Sequence, residues 1–307
     1  MRELEAPDMG QLSAEAEIPA KPSPKIDWRE LGTSILKSKY FLPIAVLVAG
    51  LTVVFWPLLS TLVELWTGED GYYTHGFLVP FITGYLIYRA WPKIKDTPIK
   101  PAAWTIILLV PLLWIAYAAR LAELRSILSA AFILSLLIGV WFTVGWRWML
   151  AVTAPVMYLI FALPFWSFII NNYTNPLQNY STTMAYNILK LFGDPYKSNN
   201  TDILIGKFWL NVGVPCSGLK LVLAITAFTF FFVLIGGLRW WGNVLMFAAI
   251  IPLCLFINGL RIAMIGVVGD HYGDAAGMKF HDYSGYITLI VCFFVLFKFA
   301  RLLGWKD

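Results

Sequence analysis

Residues 126–144 read SILSAAFILSLLIGVWFTV, an apolar run without a single charge. A helix of roughly 20 such residues crosses the ~30 Å hydrocarbon layer of a bilayer. Comparable runs lie on either side, at 41–63, 76–91, 103–119, 148–170, 218–236, 243–265 and 286–303. Together they predict an all-α integral membrane protein, a bundle of eight transmembrane helices. Composition points the same way: 59% of the 307 residues are hydrophobic and 13% are charged, with a mean hydropathy of +0.70. Soluble domains carry about 25% charged residues, so this chain lacks the polar surface to cover a soluble globule. Extensive disorder is excluded on the same ground. Three cysteines are too few for a disulfide scaffold. The basic residues flank apolar runs instead of forming a patch, so the net charge of +5 predicts no nucleic-acid partner.

Residues 1–39 are polar, with Pro7, Pro19, Pro22 and Pro24 and no apolar periodicity. They are expected to form a flexible cytoplasmic tail, not a cleaved signal peptide. Residues 40–307 are expected to form a polytopic membrane domain. Eight crossings put both termini on one side. With that side inside, fifteen Lys and Arg fall on inner segments and six on outer ones, so the positive-inside rule places both termini in the cytoplasm of an inner-membrane protein. Two outer segments are long. In the first, Asn175-Pro176 reads as a helix cap and first turn. Leu177, Tyr180, Met184, Ile188 and Leu191 then recur at helical spacing, which predicts an amphipathic helix on the outer membrane surface. Two β-prone runs around Gly206-Lys207 predict a small hairpin. The second outer segment runs over about 266–285 and holds two of the three histidines.

Three reactive side chains share one depth in this topology. Cys216 lies at the outer entrance of span 6 in Val-Pro-Cys-Ser-Gly, Arg261 lies in the outer part of span 7 in Asn258-Gly-Leu-Arg261, and His281 lies just before span 8. A thiolate attacks carbonyls, an imidazole moves protons, and a guanidinium stabilises an oxyanion or a thiolate. That set is suited to acyl transfer. Pro215 before Cys216 and Ser217-Gly218 after it predict a helix start, where amides favour a thiolate. Cys254 and Cys292 fall among apolar residues and read as packing residues, which leaves Cys216 as a free thiol. Arg261 inside a span costs about 2.5–3.5 kcal/mol on insertion scales, and Asn258 lies three residues earlier on the same face. His281 shares the candidacy for the base with His271, near Asp270 and Asp274, and with His75 on the first outer loop. The histidines lack metal-ligand spacing, so no metal is expected.

The stretches Thr74-His-Gly-Phe-Leu-Val-Pro80, Pro176-Leu-Gln178, Cys216-Ser-Gly218, Asn258-Gly-Leu-Arg-Ile262 and His281 with Gly285 resemble the exosortase/archaeosortase family, in order and in spacing. The resemblance implies a membrane-embedded cysteine transpeptidase without a cofactor. Such enzymes take exported proteins with a C-terminal sorting signal: a short motif such as Pro-Glu-Pro, a transmembrane helix and a basic cluster. They pass the protein through a thioester to an acceptor in the cell envelope, on a lipid or a polysaccharide. Carried over by position, Cys216, Arg261 and His281 are the catalytic residues, with the site facing outward. Lys220, where the family often has arginine, joins Asn258 and His75 as expected substrate-binding residues beside membrane lipid. The alternatives are a transporter and a non-catalytic envelope-assembly factor. Transporters gather polar groups near the midplane, and here they gather at one face.

Overall fold

A computed structural model describes residues 41–68 and 71–305. The expected tail at 1–39 lies outside the described residues. The main compact unit begins at Ile44. In chain order the helices are α1 (Phe41–Val54), α2 (Trp56–Leu59), α3 (Leu62–Thr67), α4 (Val79–Ile94), α5 (Ile106–Leu121), α6 (Arg125–Val144), α7 (Trp146–Tyr158) and α8 (Ser167–Leu189). A three-stranded antiparallel sheet follows, β1 (Tyr196–Lys197), β2 (Asp202–Ile205) and β3 (Phe208–Asn211), in the order β1-β2-β3. Helices α9 (Leu219–Gly236), α10 (Trp240–Tyr272) and α11 (Asp274–Leu302) complete the chain.

The chain is a helical membrane protein. Among the described residues five helices are long and apolar enough to span a bilayer: Ala103–Leu121, Arg125–Val144, α9, α10 and α11. Two bent pairs raise that to seven, Phe41–Val54 with Trp56–Thr67 (66°) and Trp146–Phe161 with Pro164–Leu189 (64°). Helix α4 has 16 residues, short of the roughly 20 that a full crossing requires. Among the described residues the expected count of eight is therefore not confirmed.

Two boundaries differ from expectation, for identifiable reasons. The break after α7 falls at Leu163-Pro164 instead of Asn175-Pro176. Proline disfavours helix in the residue before it, and Leu163 is extended there (φ −101°, ψ 154°). The Trp66 indole donates to the freed Ala162 carbonyl at 2.8 Å. Pro176 instead sits inside α8. The helical period expected for 177–191 is present, but the buried face is the polar one. Thr174, Gln178, Ser181, Thr182, Ala185 and Leu189 are buried while Tyr180 is exposed. In an apolar solvent the polar groups turn inward, so α8 is part of the packed protein and not the separate surface helix expected. The segment 266–285 is also helical. Helices α10 and α11 run through it and meet at Gly273.

The hairpin forms as expected, β2 and β3 pairing Ile205 with Phe208 around Gly206-Lys207. Its inner face (Ile203, Ile205, Phe208, Leu210) packs on Ala185 and Leu189 of α8 and on Ile262, Ala263 and Ile265 of α10. Close approach is what seats it there. A Cβ on Gly269 would come within 2.5 Å of the Phe208 ring, and one on Gly277 within 3.0 Å of the Gly269 Cα. Gly269→Val should therefore push β3 away from α10 at a cost of about 1–3 kcal/mol. A lowered apparent melting temperature in detergent is the expected result; a wild-type value would show that the ring relaxes freely.

Candidate active site

Strand β3 delivers the chain directly to Cys216. Past Asn211, Gly213 is extended and Val214–Cys216 form a 3₁₀ turn with Pro215 inside it. The Cys216 amide donates to the Gly213 carbonyl at 2.9 Å, and that of Ser217 to Val214 at 3.1 Å. Gly218 then turns left-handed (φ +82°) and α9 begins at Leu219. A side chain at 218 would be strained, and its Cβ would lie 2.9 Å from the Asn258 amide nitrogen. The expected placement of Cys216 in a helix start is corrected accordingly. The thiol sits on a separate turn, and the reversal at Gly218 divides it from the helix.

Polar side chains of α8 and α10 hold this turn. Asn258, 2% exposed, donates from Nδ2 to the Cys216 carbonyl at 2.8 Å and to Ser181 Oγ at 3.1 Å. Ser181 Oγ donates to the Ser217 carbonyl at 3.1 Å. Gln178 donates to the Val212 carbonyl. Asn258 thus braces the backbone of the thiol turn and does not line the adjoining cavity, where a substrate-binding residue is expected. Sequence reasoning missed Ser181 altogether. The signal was the polar trio Gln178, Ser181 and Thr182, at helical spacing in a chain otherwise starved of polar residues.

His281 comes from the second turn of α11. Its Nε2 lies 3.0 Å from Cys216 Sγ, and its Nδ1 lies 3.3 Å from Asp282 Oδ1. Arg261 reaches across from α10. Its Nε donates to Ser284 Oγ at 3.0 Å, and a terminal nitrogen donates to the His281 carbonyl at 3.1 Å. The three expected side chains therefore converge, though the guanidinium grips the helix that carries the imidazole. A cavity of about 500 Å³ opens on the pair, lined by β3, the turn before Cys216, Ile262 and Ile265 of α10, and Asp274 and Met278 of α11.

The other candidates lie elsewhere. His271, at the end of α10, is solvent-exposed beside Asp270. Cys254 and Cys292 are buried in one apolar cluster, and all three cysteines are free thiols. His75 and Lys220 do not line the cavity either. His75 occupies a short 3₁₀ turn, Thr74–Phe77, at 8% exposure. Burial, and then the nearby Lys220 charge, push its imidazole down to about 4.

Residues 65–298, well over half of the chain, match the family model described as transmembrane exosortase. The chain belongs to the transmembrane exosortase family. The matched region of this exosortase contains Cys216, Arg261 and His281. No curated protein and no solved structure matched the chain. Membership implies, in general terms, a membrane-embedded cysteine transpeptidase.

The buried imidazole of this exosortase makes its stability depend on pH. His75 titrates at about 4 when folded and near 6.5 when unfolded. A depressed value gives a contribution that is complete above pH 6.5 and is lost as the pH falls toward 4. The apparent melting temperature should drop over that window, and His75→Gln should flatten the drop. An unaltered pH profile in the variant would remove His75 as its cause.

Proposed function

We propose that this exosortase is a cysteine transpeptidase that cleaves a C-terminal sorting signal from exported proteins and transfers the remainder to a cell-envelope acceptor. The single observation carrying this reading is the 3.0 Å approach of Cys216 Sγ to His281 Nε2 at a cavity, in a chain of this family. The Asp282 carboxylate beside Nδ1 favours the tautomer with its proton there, so Nε2 is left to accept the thiol proton. Cys216 Sγ attacks the scissile carbonyl carbon. His281 gives the proton to the departing amine as the C–N bond breaks, and a thioester remains on Cys216. His281 then deprotonates the acceptor, which attacks the thioester, and the thiol is regenerated.

Arg261 is a positioning residue in this scheme. Its bonds to the His281 carbonyl and Ser284 hold the base in register with the thiol. The sorting signal is taken to be a short Pro-Glu-Pro-like motif, an apolar helix and a basic cluster, as in the family resemblance. The lysine and arginine bias supports termini in the cytoplasm and a site facing outward from the inner membrane. A lipid or polysaccharide group is the proposed acceptor.

The test is a reporter library expressed beside the enzyme. Four randomised residues precede a 20-residue apolar helix and three arginines. Cleavage should fall just before the helix. Cys216→Ala should abolish it, and His281→Ala should lower it by about a hundredfold or more. Arg261→Lys, which loses the fork geometry, should lower it about tenfold. Mass spectrometry of the new C-terminus reads transfer as an added mass and hydrolysis as a free carboxylate. A library left intact by the wild-type enzyme, or cut equally well by Cys216→Ala, defeats the reading.

A further inference from the structure

Strand β3 ends the sheet, so one of its edges has no partner strand. The register tells which backbone groups that edge carries. A two-residue loop joins Ile205 to Phe208, and residues flanking such a loop exchange both ladder bonds. Alternation makes Ile203 and Leu210 the next bonded pair. The Val212 amide, donating to the Thr201 carbonyl at 2.8 Å, continues the same phase. Phe208, Leu210 and Val212 therefore turn their amides and carbonyls toward β2. Trp209 and Asn211 turn theirs outward. Among the described residues, the backbones of these two have no partner on that side.

The cavity at Cys216 lies along this edge. Side chains of a strand alternate between its faces, so a cavity against one face would meet every second residue. Here each residue from Phe208 to Gly213 lines it. Opposite stand Asp274, Met278 and His281, one face of α11 by their spacing. From His281 to Asp274 is seven residues of helix, about 10 Å, which equals about three residues of extended chain.

We infer that the peptide substrate binds as an added strand on the outer edge of β3, its backbone bonded to Trp209 and Asn211, and that this edge leads it to Cys216. The inference rests on the transpeptidase reading above and names how that site recognises its substrate. The occupant is an extended peptide segment about three residues long. Asp274, Met278 and His281 of helix α11 line the cleft beyond that edge. Main-chain bonds supply most of the affinity, and side chains alternating between the two faces of the sheet supply selectivity. The same helix shields an edge that would otherwise invite indiscriminate pairing.

The probe is the best-cleaved sequence from the reporter library, made as a synthetic peptide. Each amide N–H near the scissile bond is replaced in turn by an ester oxygen. Strand addition produces a period of two. kcat/KM should fall about tenfold at alternate positions and stay within about twofold between them. Trp209→Pro removes one outward amide and spares the ladder to β2; it should lower kcat/KM about tenfold. Its Cys216 should still react with a small thiol reagent at the wild-type rate, which shows the turn to be intact. A flat ester profile, or full turnover by Trp209→Pro, overturns strand pairing while the transpeptidase reading stands. A wild-type dimer that Trp209→Pro splits without altering cleavage does the same, since the edge would then serve a second copy. If Trp209→Pro does not fold, the ester profile on the wild-type enzyme decides alone. If no library member is cleaved, both proposals fall.

Discussion

One buried side-chain amide ties the thiol to the helices around it. Asn258 has two N–H groups, and both are engaged, one by the Cys216 carbonyl and one by Ser181. In a water-poor interior an unpaired carbonyl costs about 1–3 kcal/mol. The Cys216 turn therefore cannot drift from α10 without exposing that debt of hydrogen bonding, and α8 is drawn into the same arrangement through Ser181. Gly218 permits the approach, because any side chain there would collide with the amide. The position of the Cys216 thiol and the packing of α8 and α10 are thus one structural fact.

Arg261 performs the corresponding task for the imidazole. A guanidinium in a span is costly, and the cost is offset by bonds to a carbonyl and a hydroxyl on α11. Both of the donors described here are directed at the helix that presents His281. A lysine has charge but no fork with which to hold two acceptors on one helix turn. The expected electrostatic part for Arg261 and the proposed positioning part differ in what they demand of the side chain: the first needs charge near the reacting atoms, the second needs shape.

Hydropathy made the membrane class legible, because runs such as 126–144 have no soluble use. The thiol, imidazole and guanidinium were also legible, since reactive groups are conspicuous among apolar neighbours. The Gly206-Lys207 hairpin was readable from its turn residues. The orientation of α8 was not. Its apolar positions Leu177, Tyr180 and Met184 carry a helical period, but a period does not say which face meets protein and which meets lipid. The inner ends of that ambiguity were settled only by partners far away in sequence, Val212, Ser217 and Asn258. Two adjacent X-Pro signals, at 164 and 176, look alike in sequence; the chain bends at the one where Trp66 takes up the freed carbonyl. The segment 266–285 reads as a loop because Asp270, Asp274, Lys279 and Asp282 interrupt its hydropathy. Those charges ride on helices that extend past their apolar cores.

The distribution of the three thiols has a practical corollary. Two are buried in the apolar cluster shared by α9, α10 and α11, and the third lines an open cleft. An electrophile shaped to enter that cleft would modify a single atom in each molecule. The stoichiometry of its incorporation would count competent enzyme in a membrane preparation, before any natural acceptor is known.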